Sequence, residues 1–153
     1  MAAGTAPACI LVRHAHAEWP EYVGRDFARP LTDRGVKEAH ATGLALRAAG
    51  VSPRRIIASA ARRTEQTARI LVDELQLPPS TLQLLESLYN AAAPTLAQAL
   101  QAAVQQGTPV LLVAHNPGIS ELARLMSGNG TLEPFRPAEW RIFSSAGDTG
   151  TAR

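Results

Sequence analysis

The chain has 153 residues, enough for one domain with a substantial core, and its 46% hydrophobic, 18% charged composition is that of a globular protein. The formal charge is only +2, and no basic helix or basic stripe interleaved with aromatics argues for nucleic acid, although fourteen of the fifteen basic residues are arginine. The lone Cys9 excludes an internal disulfide scaffold, no apolar run reaches a membrane span, and Met1 to Pro7 lacks the regions of a secretory leader; a cytoplasmic protein without membrane partners is expected.

A strand is predicted from Ala8 to Arg13, followed by a polar loop from Ala15 to Leu31 that carries Trp19, Tyr22 and Arg25. Thr32 is an N-cap for a helix closing at Gly50, with Val36, Ala39, Gly43 and Leu46 on its apolar face. A strand at Arg55–Ala58 leads to a helix from Arg62 to Leu75, stopped by Pro78-Pro79. Thr81 to Leu85 reads as a strand, and Thr95 to Gln106 as a helix ended by Gly107. Pro109 to Ala114 is a buried strand, Gly118 to Ser127 a helix, and Glu139 to Ser144 an edge strand. Residues 1–7 and 147–153 are expected to be disordered tails. Alternating strands and helices without repeat or linker give one α/β domain, a three-layer sandwich with a mostly parallel sheet and helices on both faces.

Three strand ends carry polar groups: Arg13-His14, Ser59 to Thr67, and His115-Asn116. In an open α/β sheet, ligands bind beyond the carboxyl ends of the strands, so these groups are expected at one mouth. The mixture suits phosphate, because arginine forks match its oxygens and a neutral imidazole can attack its phosphorus. Arg13 beside His14 disfavours the imidazolium and helps keep the ring nucleophilic. Ser59 lies at a strand-to-helix turn whose following backbone N–H groups favour an anion. An arginine of that first turn can point at the same anion, or Arg62 and Arg63 can both be solvated. His115, with Pro117 suited to the first helical turn, would stand across from His14 and donate to a phosphoryl oxygen.

His14-x-His16 with Glu18 beyond is a permissible metal spacing, since alternate residues of a strand share a face. A catalytic zinc usually takes three protein ligands, however, and Arg13 sets a repelling cation beside these. No metal and no cofactor are expected, with His16 at the rim.

Taken in order, Arg13-His14-Ala15, then Ser59 with Arg63 and Gln66-Thr67-Ala68, then His115-Asn116-Pro117-Gly118 resemble the histidine phosphatase superfamily. Arg29-Pro30-Leu31-Thr32 with Gly35 is similar to the family's approach to its first helix. Ala15 after the histidine, the small size and the His-Asn-Pro-Gly string resemble the SixA-type phosphohistidine phosphatase branch. The resemblance implies a phosphoglycerate-mutase-like fold, His14 as nucleophile, and Arg13, Arg63 and His115 as phosphate ligands, with Asn116 added to that set. It assigns Arg63 to the pocket and leaves Arg62 on the surface. Ala60 departs from the family's frequent proline after the serine. The general acid has no clear equivalent; Glu86, after the third predicted strand, is the leading candidate and Glu18 a weaker one.

The expected activity is a metal-independent phosphatase working through a covalent phosphohistidine, acting on a phosphorylated protein at phosphohistidine. An imidazole leaving group can bring its own proton, and short loops suit a protein surface. The alternatives are a small phosphate monoesterase with the same machinery, a metal hydrolase through His14 and His16, and a non-catalytic phosphate-binding module. A mutase is disfavoured, because little insertion is available to enclose a bisphosphate.

Overall fold

The structure, a computed structural model, describes residues 7–18, 24–144 and 147–152. Six strands form one sheet: β1 (Pro7–Arg13), β2 (Arg55–Ser59), β3 (Leu82–Leu85), β4 (Val110–Ala114), β5 (Trp140–Ser144) and β6 (Gly147–Ala152). Their order is β3-β2-β4-β1-β5-β6, with the first four parallel and the last two antiparallel to their neighbours. The helices are α1 (Asp33–Ala48), α2 (Arg62–Glu74), α3 (Ala93–Gln105) and α4 (Gly118–Ser127). This is the expected three-layer α/β architecture.

The central strands are apolar on both faces because helices cover both, and the side-chain period of two divides them cleanly. Leu11 of β1, Ile57 of β2 and Leu112 of β4 join one core with Leu96 and Leu100 of α3 and Ile119 and Leu122 of α4. Their neighbours Ile10, Val12, Ile56, Leu111 and Val113 join a second core with Leu46 of α1 and Leu71 of α2. Burying each such aliphatic side chain contributes about 1.5–3 kcal/mol, so the two cores hold the central strands rigidly. Thr32 caps α1 as its sequence suggests, its Oγ1 accepting from the Gly35 N–H at 3.0 Å. Gly50 follows the helix with φ +77°, a left-handed turn that glycine adopts without strain.

Three expectations need correction. Glu139 to Ser144 was expected at an edge, but β5 lies between β1 and β6. The reason is the second one: residues 147–152 form β6 rather than a disordered tail, pairing antiparallel with β5 and satisfying the backbone groups of its outer side. Third, α3 starts at Ala93, not Thr95, because Pro94 is compatible with a first helical turn. The expected tails at residues 1–6 and 153, and Trp19 and Tyr22 of the first loop, lie outside the described residues. Among the described residues, no helix is long and apolar enough to cross a membrane.

Topology sets the site. β1 and β4 are adjacent and parallel, with Arg13 paired to Ala114, so the residues that follow, His14 and His115, leave the sheet side by side. The His14 N–H donates to the Ala114 carbonyl at 3.1 Å, which extends the ladder one step and fixes the histidine backbone. β2 flanks β4 on the other side and delivers Ser59 to the same end.

Candidate active site

A cavity of about 410 Å³ opens at these strand ends, lined by residues that include Arg13, His14, His16, Asp26, Arg29, Arg63, Asn90, His115 and Asn116. Its floor is the buried set His14, Arg63 and His115, at 8%, 3% and 2% exposure, while His16, Asp26, Arg29 and Asn90 stand at the better exposed rim. Arg62 is exposed and Arg63 buried, so the structure separates the two arginines as expected.

Hydrogen bonds decide which nitrogen of each floor histidine is available. His14 Nδ1 lies 2.7 Å from the Ala15 carbonyl, an acceptor only, so Nδ1 carries the proton and Nε2 keeps its lone pair. His115 is arranged the other way: its Nε2 lies 2.8 Å from Ser59 Oγ, while its Nδ1 is buried without a partner. Ser59 Oγ accepts from the Ala61 N–H through one lone pair, and in the tautomer where its hydroxyl proton goes to His115 Nε2, Nδ1 is an N–H donor. In that tautomer one ring offers a lone pair and the other a proton, with the ring centroids 5.4 Å apart.

Both imidazoles are held neutral. Burial pushes His14 down to about 3, helped by the positive charges of Arg13, Arg63 and Arg29 and opposed only by its bond to Ala15. Burial likewise holds His115 at about 3, with His14 and Arg63 adding to the effect.

The arginines are anchored through their terminal nitrogens. Arg13 Nη1 donates to the Phe135 carbonyl at 3.1 Å. Arg63 Nη1 donates to the Asp26 carbonyl at 2.9 Å, and its Nη2 to Asp26 Oδ2 at 3.2 Å and Asn90 Oδ1 at 3.4 Å. The Nε of both arginines is buried without a partner, like His115 Nδ1. Three orphaned donors on residues lining one cavity are costly in isolation and would be satisfied by the oxygens of a bound oxyanion.

Asp26 is the member that sequence reasoning missed. It sits in the 3-10 turn Asp26–Ala28 and takes hydrogen bonds from Arg63, Arg29 Nε and Tyr89 Oη. Burial alone would raise its carboxyl, but the bonds from Tyr89 and Arg29 and the charge of Arg63 hold it down at about 2. The only trace in the sequence is the i,i+3 acid–base spacing of Asp26 and Arg29, which is common in surface loops.

Of two further expected members, one lies at the cavity and one does not. Asn116 lines the cavity, but its Nδ2 donates to the Phe135 carbonyl and its Oδ1 accepts from Ser120, so the amide ties α4 to the loop ahead of β5. Glu86 is exposed and is not among the lining residues. It opens a 3-10 turn after β3, the edge strand, three places from β1 in the sheet. At about 4.8 Å per strand that is roughly 14 Å of lateral offset, and it is Tyr89 and Asn90 that return the chain toward the cavity. Glu18 likewise is exposed, and its carbonyl accepts from Arg29 Nη1. Among the described residues, no group of three or more histidines, cysteines or carboxylates is placed to hold a metal ion.

The remaining motif strings serve as supports. Thr67 Oγ1 accepts from the Ala15 N–H at 3.1 Å, and Gln66 Oε1 from the Leu31 N–H at 2.7 Å, so α2 holds the loop that follows His14. The profile of the histidine phosphatase superfamily, branch 1, matches residues 9–88. The chain belongs to that superfamily. An uncharacterised chloroplastic protein of Arabidopsis thaliana is 31% identical over 127 residues, covering 78% of this chain and 58% of the relative, so the chain spans less than two thirds of that relative's length. A structure from Agrobacterium tumefaciens designated phosphohistidine phosphatase SixA superposes with TM-score 0.83 at 25% identity, over 94% of this chain and 95% of the other. The protein histidine phosphatase SixA complexed with tungstate gives 0.79 at 25% identity, over 90% and 89%. A mycobacterial glucosyl-3-phosphoglycerate phosphatase, at TM-score 0.67 and 18% identity over 91% of each chain, shares the fold. The superfamily and its SixA-type neighbours support phosphatase activity on a phosphorylated substrate.

Proposed function

We propose that this protein is a metal-independent phosphatase that passes a phosphoryl group through His14, with phosphohistidine on a protein as its substrate. The observation that supports the reading is the opposed pair of ring nitrogens: the Ala15 carbonyl leaves the lone pair on His14 Nε2, and with Ser59 against its Nε2, Nδ1 is the unpartnered nitrogen of His115. His14 Nε2 attacks phosphorus in line, and the P–N or P–O bond to the leaving group breaks on the opposite side. Arg13, Arg63 and His115 receive the phosphoryl oxygens, whose charge grows in the transition state and meets donors already in position. Water then attacks the phosphorus, the bond to His14 Nε2 breaks, and phosphate departs.

The preference for phosphohistidine rests on the leaving group. Its imidazole departs neutral when it arrives protonated, and Asp26, the one carboxylate lining the cavity among the described residues, is held ionised. A cytoplasmic location is part of the same proposal.

The test compares turnover of a phosphohistidine protein with that of small phosphate esters, with and without a chelator. A preference for the phosphohistidine protein that survives chelation is expected. Faster turnover of esters would move the assignment to a small-molecule phosphatase, and loss on chelation would overturn the metal-free mechanism.

A further inference from the structure

We infer that His16 is the proton donor to the leaving group for phosphate esters and then the base that takes a proton from the attacking water, an inference that rests on the reading of His14 as nucleophile. The argument starts from the direction of attack. His14 lies on the buried floor, so an in-line leaving group departs toward the rim. Among the described residues, its ionisable rim residues are His16, Asp26 and Arg29. Arginine keeps its proton, and Asp26 accepts from Arg63, Arg29 and Tyr89 with no proton of its own to give. Histidine is the side chain that both gives and takes a proton near neutrality.

His16 is also held as a working group would be. Its N–H donates to Glu38 Oε1 at 3.0 Å, and its carbonyl accepts from the Thr32 N–H at 3.1 Å and from Thr32 Oγ1 at 3.3 Å. Gly35 packs so closely that a Cβ there would stand 1.9 Å from the His16 carbonyl oxygen, so the first turn of α1 fixes this loop residue in place. On the ring, Nδ1 lies 2.8 Å from Thr32 Oγ1. The threonine's single hydroxyl proton is given to the His16 carbonyl, so Oγ1 accepts from Nδ1–H, and Nε2 is the nitrogen left to exchange a proton. The ionisable groups that share its cavity or bind its backbone are the cationic Arg13 and neutral His14 from the end of β1, Glu38 from α1, and Asp26 and Arg29 from the rim turn.

The steps balance. As the His14 Nε2–P bond forms and the P–O bond to the leaving group breaks, the proton on His16 Nε2 passes to the leaving oxygen and an alcohol departs. In the second step neutral His16 Nε2 accepts a proton from water as its oxygen bonds to phosphorus. The P–N bond breaks, its electron pair returns to His14, phosphate leaves, and His16 is protonated again.

The test uses a series of phosphate monoesters from p-nitrophenyl to phenyl to alkyl, with rapid-quench measurement of phosphorylated His14. His16→Asn keeps an amide N–H where Nδ1 stood, and His16→Gln serves as a second variant. The loss in kcat/KM should widen with leaving-group basicity, from within about tenfold for p-nitrophenyl phosphate to the 10²–10⁴-fold typical of a general acid for alkyl esters. In the unmutated protein, phenyl phosphate turnover should show an alkaline fall that p-nitrophenyl phosphate turnover lacks. A uniform loss along the series, or identical pH profiles for the two esters, overturns the role of His16. Absence of phosphorylated His14 with every substrate overturns the reading beneath it instead.

Discussion

His14 and His115 meet edge to face with ring centroids 5.4 Å apart, and opposite nitrogens of the two rings are tied down, Nδ1 of His14 by the Ala15 carbonyl and Nε2 of His115 by Ser59. The pairing follows directly from the register of β1 on β4, which sets Arg13 against Ala114 and brings the next residues out together. On the proposed mechanism, a nucleophile and an electrophilic donor are thus positioned by two rigid strands before any substrate arrives, which lowers the reorganisation needed during reaction.

Arg63→Ala should lower kcat/KM by about 10²–10³, the usual cost of one preorganised donor to developing charge, whereas Arg62→Ala should change it by no more than a few-fold. Arg63 is buried and bonded at the cavity; Arg62 is exposed. Steady-state kinetics on both variants settles it, and a severe Arg62 defect beside an active Arg63 variant would contradict the assignment.

Asp26→Asn should separate binding from chemistry. The carboxylate neutralises Arg63 and Arg29 and holds Arg63 in place, so its loss makes the cavity more positive while loosening the arginine. Inorganic phosphate should bind more tightly as a competitive inhibitor, and kcat should fall about tenfold or more through lost orientation. Weaker phosphate binding together with unchanged kcat would show that Asp26 does neither.

Much of this site was legible in the sequence, for physical reasons specific to each residue. His14, Ser59 and His115 each follow a short apolar run, and a buried strand has to deliver its next residue to the sheet's carboxyl end. The Ser59 to Thr67 string left both arginines open, and it was the family resemblance that assigned Arg63 to the pocket; its burial agrees. Asp26 was not legible, because its role depends on Arg63 and Tyr89, which are 37 and 63 residues away along the chain. Glu86 was misplaced because following a strand does not say whether that strand is central or at the edge. β6 was missed because Gly147-Asp148-Thr149-Gly150 has no apolar period, and its pairing comes from the backbone of β5.

Glu86→Gln should therefore leave turnover of both a phosphohistidine protein and small esters within about twofold of the parent, as surface substitutions commonly do. Parallel assays of both substrates check this. A selective loss on esters would return Glu86 to the reaction as an acid.

The buried neutral histidines make stability fall in acid. Histidine in the unfolded chain titrates near 6.5, whereas His14 and His115 in the fold titrate at about 3. Between these values the unfolded chain binds the extra protons, so the stability is fully present above the unfolded value and is lost as pH falls toward the folded one. Each histidine contributes a slope of up to about 1.4 kcal/mol per pH unit in that window. Urea unfolding across it should give a shallower slope for His115→Gln than for the parent; equal slopes would contradict the buried neutral state.

The central claim is that the phosphoryl group passes through His14. Rapid acid-free quenching during turnover of a ³²P-phosphohistidine protein, followed by peptide mapping, tests it most directly. The label should appear on His14, stable in base and labile in acid, and a folded His14→Ala protein should show neither label nor turnover. Turnover at the parent rate by folded His14→Ala, or label on another residue with His14 unmodified, would contradict the account.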